Sequence, residues 1–395
     1  MSQTPHYRNL GCRRSRGMTL IELMVALVIG LTLTLAMTMI TVRYESGKRV
    51  LGTANDMSAN GNFISYELDR QLRSAGSGFV QGWTDNLGCV LRVSRGGQQI
   101  LPRLAPFPAP FAALPQQWRL APVLVFPGAG NGGSDVLAIA TGASGLAETV
   151  STVQPTSTTA TSLRVPNTVG MRGNDLLLVA EQGTGCMMQE VAAPFVGGAN
   201  QQLNLGGTYA SAVIDGLAMV GFATTGSATM AVLGNVVDNR PLFQLLGLNA
   251  DSALVAYDLL QLGEQDAVQV MADGVADMRV LYGIDSNTAD NVYTVNQWVS
   301  PADDPNFGPA ALTAGTAAAQ ARLMSIMAVR VGLVLRSDRI EKAGEEVAPE
   351  KLLLFSSTPA LQREVKLSAD QQRQRHRTIE FTVPLRNVML TVRPK

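Results

Sequence analysis

From Met18 to Val42 the chain runs for 25 residues with a single charged side chain, Glu22. An apolar stretch of that length can cross a bilayer as one helix, which needs about 20 residues. Arg8, Arg13, Arg14 and Arg16 precede it, and no comparable basic cluster follows Val42. That asymmetry places the N-terminus in the cytoplasm and the remainder outside. The order basic-then-apolar is that of an export signal, yet no small-residue cleavage box follows the run. Gly17 stands before it instead. A carboxylate inside lipid costs about 2.5–3.5 kcal/mol on insertion scales, so Glu22 needs a partner or a function.

The rest of the chain is long enough to bury a large core. With 16% charged residues it is too poor in charge for a disordered protein, and 38 Gly and 19 Pro point to many turns. Residues 1–17 hold four arginines and no acid, so the neutral whole leaves a mildly acidic remainder. Such a surface has no electrostatic footprint for nucleic acid. The two histidines, His6 and His376, lie at opposite ends of the sequence, which excludes zinc motifs that need paired histidines.

The segment "RSRGMTLIELMVALVIGLTL" resembles the class III signal of type IV pilins and pseudopilins: a basic leader, a Gly, a cut, then an apolar helix with an early Glu. The resemblance implies cleavage by prepilin peptidase between Gly17 and Met18 and N-methylation of Met18. Glu22 would be the assembly glutamate, neutralising the Met18 amine of a neighbouring subunit. A buried pair of that kind sets axial register more than it adds stability. The plainer reading of Glu22 is a carboxylate tolerated near the membrane surface. Met18 departs from the Phe that most such signals carry, and no proline between Met18 and Asn60 supplies a kink.

Beyond Arg43, the positions Val50, Ala54, Met57, Gly61, Ile64, Leu68, Leu72 and Ala75 recur at steps of three and four, the stripe of an amphipathic helix. Gly76 and Gly78 supply its stop; Gly47, Gly52 and Gly61 are points where it could break. A continuous helix from Met18 to Ala75 would span about 87 Å. From Gly76 onward short apolar runs alternate with turns, the pattern of strands. They include "PVLVF" from Pro122, "SDVLAIAT" from Ser134, "DLLLVAE" from Asp175, "LAMVGFAT" from Leu217, "IMAVRVGLVLRS" from Ile326 and "RTIEFTVPLRN" from Arg377. The expected organisation is α+β: a leader at 1–17, a helix at 18–75 with its membrane span at about 18–42, and a mainly antiparallel β head at 76–395. The Ser/Thr tract near 149–162 would divide the head into two lobes.

The order "FISYELDRQLRSAGSGF", a Cys, "GVADMRVLYGID", "AVRVGLVLRS", "FTVPLRN" is similar to that of PilW-type minor pilins. That implies a subunit of a priming or tip complex which starts pilus assembly. Its partners would be other minor pilins and the major pilin through the N-terminal helix, and a tip adhesin through the head. A J-type pseudopilin of a type II secretion system is the alternative within the class; a membrane-anchored periplasmic enzyme is the alternative outside it.

Cys12 falls in the leader, leaving Cys89 and Cys186 in an oxidising compartment. They read as one disulfide, the alternative being two separate thiols. It would close a loop worth ~4–5 kcal/mol on the chain-entropy model. "GAGNGG" from Gly128 formally matches GxGxxG, but a strand follows it where a dinucleotide site needs a helix. "DSNTADN" from Asp285 offers oxygen ligands for calcium but lacks the EF-hand's oxygen at Ala289 and its following Gly, so it reads as a solvated loop. No catalytic set, cofactor motif or metal motif emerges.

Overall fold

A computed structural model describes residues 17–144, 150–198, 201–224, 228–263, 266–287, 293–342, 344 and 346–391. It contains one long helix, Leu20–Ser74, uninterrupted at Gly47, Gly52 and Gly61. Residues up to Asp56 and residues from Met57 form two separate compact units.

The first unit is helix alone. Its large apolar side chains between Met18 and Val42 are all exposed, Leu20 and Ile21 by more than 70%, and it is the one helix among the described residues long and apolar enough to cross a membrane. The hydroxyls of Thr32, Thr34, Thr38 and Thr41 each donate to a carbonyl four residues back, at 2.9–3.0 Å. They therefore satisfy themselves within the helix, which a lipid surround requires of any polar group.

The second unit opens with the last five turns of the helix, which bury Met57, Gly61, Ile64, Leu68, Leu72 and Ala75. Val50 and Ala54, the first members of the same stripe, are exposed. This face lies on a four-stranded antiparallel sheet ordered Gln297–Val299, Val275–Ile284, Ile326–Ile340, Gln374–Pro384. A Cβ on Gly61 would run into the side chains of Leu335 and Ile379, so glycine permits the close approach. Arg377 donates to the Ser58 hydroxyl, and Asn387 Nδ2 donates to the Ser74 and Ala75 carbonyls at 3.0 and 3.2 Å. Helix and last strand thus advance in the same direction. The helix stops where Gly76 takes φ +81°, its N–H donating to Ala140 O.

Beside it stands a five-stranded antiparallel sheet, Val268–Ala272, Leu254–Asp258, Leu242–Leu248, Val136–Thr141, Val123–Phe126. A six-stranded sheet runs Gln98–Leu101, Leu91–Arg95, Gly185–Glu190, Asp175–Glu181, Thr229–Asn235, Ser151–Thr152. It is antiparallel except where Leu91–Arg95 meets Gly185–Glu190. Every residue of Asp175–Glu181 is buried. Leu176, Leu178 and Ala180 face the main core with the helix, while Leu177 and Val179 face a second core with Leu163, Met187 and Met230. A strand covered on both faces reads as a continuous apolar run rather than an alternating one.

Several expectations need correction. "LAMVGFAT" is a two-residue strand, Leu217–Ala218, followed by a 3-10 turn, Met219–Gly221. Thr229–Asn235 and Leu242–Leu248, absent from the sequence-based strands, are central ones; each has a Gly near its end that reads as a turn. From Met57 the chain is one compact unit holding three separate hydrophobic clusters among the described residues, the second drawn from Val153 to Val232. The proline-rich stretch 101–115, which by composition reads as a linker or surface loop, is part of the fold, burying Phe107 and Phe111 in the main core. Arg103 clamps it, pairing with Asp266 at 3.0 Å and donating to the Tyr257 hydroxyl at 2.5 Å.

Candidate functional site

The long helix begins at Leu20, which makes Thr19 its N-cap. Thr19 Oγ1 accepts from the Glu22 N–H at 3.3 Å, and Glu22 Oε2 accepts from the Thr19 N–H and hydroxyl at 3.4 Å. This is a reciprocal capping box, spelled Thr19-Leu20-Ile21-Glu22. It satisfies two of the donors that every helix start leaves unpaired, and it puts a negative charge at the positive end of the helix dipole. Glu22 is exposed, as are Gly17 and Met18, and no atom approaches within 4 Å of where a Gly17 Cβ would stand. The peptide bond after Gly17 is therefore unobstructed by the described residues. Residues 1–16, with Cys12 and the four arginines, lie outside the described residues. The sequence-based reading of Glu22 overlooked Thr19, although the T-x-x-E spacing announces the cap.

Cys89 and Cys186 are joined by a disulfide with Cα atoms 5.7 Å apart, 97 positions apart in sequence. Cys186 is fully buried opposite Leu91 in the one parallel strand pair among the described residues, and Cys89 precedes that strand. The bond therefore fixes the corner where the sheet departs from antiparallel pairing.

Gly128–Gly133 forms the turn of the antiparallel hairpin Val123–Phe126/Val136–Thr141, so the strand expected after it is present and no dinucleotide site exists there. Asp135 fastens this turn to the neighbouring sheet. Its Oδ1 accepts from the Gly128 N–H at 3.1 Å and its Oδ2 from the Val280 N–H at 2.9 Å. Burial pushes its carboxyl above the usual Asp range, against those two donors and the Arg279 guanidinium 3.6 Å away. Arg279 also pairs with Asp277 at 3.1 Å and donates to Gly133 O at 2.7 Å.

In the stretch from Asp285, the buried Asp285 accepts from Asn287 N and Asn296 Nδ2, closing the loop's neck. Residues 288–292, with part of the calcium-like run, lie outside the described residues. Among the described residues no group of three or more His, Cys, Asp or Glu side chains is placed to hold a metal. His376 bonds through Nδ1 to Gln374 O at 3.0 Å, and burial lowers its pKa.

These features define a class: a chain with one N-terminal apolar helix, a charged cap at its start, and a mostly antiparallel β head. Residues 12–38 match the family model of the prokaryotic N-terminal methylation motif. Residues 247–387, which include the whole four-stranded sheet, match the model of the type IV pilus-assembly protein W. Together the two matches support a PilW-type type IV minor pilin, a structural component of a pilus and not an enzyme. No curated protein and no solved structure matches the chain.

Proposed function

We propose that this pilin enters the inner membrane with its N-terminus in the cytoplasm and its β head in the periplasm. Prepilin peptidase cuts it between Gly17 and Met18, residues 1–17 leave as the leader, and Met18 is N-methylated. Residues 18–75 then pack with other minor pilins and the major pilin in a priming or tip complex that initiates assembly, and the head (76–395) presents surfaces to a tip adhesin. Glu22 meets the Met18 amine of a neighbouring subunit during that step.

The observation that carries this reading is the start of the long helix, where an unobstructed Gly17–Met18 bond precedes a capped carboxylate and an exposed apolar surface. Such a surface in water is unfavourable by about 25 cal/mol per Å² and needs lipid or other helices around it. Mass determination of the N-terminus in cells with and without prepilin peptidase tests the reading. The expected product begins at methylated Met18 and appears only with the peptidase. An intact Met1 terminus, or cleavage after Ala36 by ordinary signal peptidase, overturns it.

A further inference from the structure

The head holds a cavity of about 490 Å³ whose floor is Trp118, Leu124 and Phe126. It is walled on one side by Pro309 and Ala314, at either end of the short helix Pro309–Leu312 and its following turn. Its volume lies in the about 300–1,000 Å³ range of pockets that receive a ligand group. The floor is already built: the three side chains are 3%, 2% and 8% exposed, and Trp118 packs on Phe126 with ring centroids 5.8 Å apart.

Arg119 stands at the edge of this apolar floor and also lines the polar cavity beside Cys89. Its Nη1 donates to Gly88 O at 2.8 Å, and among the described residues no carboxylate pairs with it. Three partly buried arginines of the head have carboxylate partners, Arg103 with Asp266, Arg279 with Asp277 and Arg330 with Glu380, whereas Arg336 bonds only to the Gln374 side chain and the Asp251 carbonyl. A guanidinium partly withdrawn from water without a counter-charge is costly, and its planar fork suits a carboxylate.

We propose that this cavity docks an apolar side chain of a partner protein that carries an Asp or Glu beside it. The apolar group seats on Trp118 and Phe126, and the carboxylate meets Arg119. Charge complementarity selects the occupant: an apolar side chain alone would leave Arg119 as it is, and a basic neighbour would be repelled. The inference stands on the head alone and does not depend on processing at Gly17.

The test uses the full chain in detergent micelles with nitrogen-labelled tryptophan and two capped dipeptides, acetyl-Phe-Glu-amide and acetyl-Phe-Gln-amide. The Trp118 indole signal, assigned with Trp118→Phe, is expected to shift saturably with the acidic dipeptide, with a Kd of about 1–10 mM. The neutral dipeptide should bind about fivefold more weakly, the size of a partly exposed charge pair. Arg119→Met should remove that difference while the Trp83 and Trp298 signals stay in place, and Ala314→Trp, which fills the cavity from an exposed position, should abolish both responses. Equal binding of the two dipeptides, or no saturable shift of Trp118 with either, overturns the proposal.

Discussion

At Glu22 the carboxylate serves its own chain before it can serve a neighbour, because it closes the cap with Thr19. The two duties separate by substitution. Glu22→Gln keeps an oxygen to accept from the Thr19 N–H but loses the charge; Glu22→Ala loses both. If the charge is what assembly uses, both variants insert and are processed normally yet fail to enter the pilus complex, as counted by piliation. Recovery with Gln would instead assign the role to the cap. Asp135 gives a second test at this scale. Its raised carboxyl means that the folded chain holds a proton the unfolded chain gives up. That contribution is complete below the ordinary Asp value of 3.8 and fades as pH rises through the folded value. Asp135→Asn should therefore show a shallower fall of unfolding free energy with pH just above 3.8, alongside a general loss of about 1–3 kcal/mol from the unpaired N–H group. An unchanged slope in denaturant titrations across that range would rule out this account of Asp135.

Among the elements, the long helix was the most legible in the sequence, since its stripe at Met57, Gly61, Ile64, Leu68 and Leu72 marks the buried face residue by residue. Periodicity could not tell where burial begins, because Val50 and Ala54 fit the same stripe and stay exposed. Strands with a clean run, such as Asp175–Glu181, were readable; Leu242–Leu248 was not, since its Gln244 and Gly247 interrupt the apolar pattern and only the neighbouring strands make it central. Thr19 was readable and overlooked, whereas the Arg119 cavity joins residues nearly 200 positions apart and leaves no local signature. The helix–sheet contact is testable at Gly61. Gly61→Leu should destabilise the head by about 1–3 kcal/mol through overpacking against Leu335 and Ile379. Gly61→Ala should cost less, because alanine favours the helix by up to about 1 kcal/mol. Chemical denaturation of the two variants should give that order; a stabilising Gly61→Leu would contradict the close approach.

For the molecule as a whole, the Cys89–Cys186 link ties the start of the head to the middle of the chain. Replacing both cysteines by serine should lower unfolding free energy by about 2–4 kcal/mol, measured by denaturant titration without reductant. The wild type with reductant should approach the variant; equal stability of all three would leave the crosslink without a thermodynamic role. The pairing of Asn387 with Ser74 and Ala75 reaches further, over more than 300 positions. The strand that covers the helix's apolar face is thus synthesised long after the helix itself, the two being tied by contacts 312 and 313 positions apart. Until residues 374–388 have been made, Ile64, Leu68 and Leu72 lack their cover, and contacts of such long range form late. A chain interrupted in synthesis before those residues would therefore carry an unshielded apolar stripe. Shielding of the helix's apolar stripe is in this way one of the late events in the folding of the head.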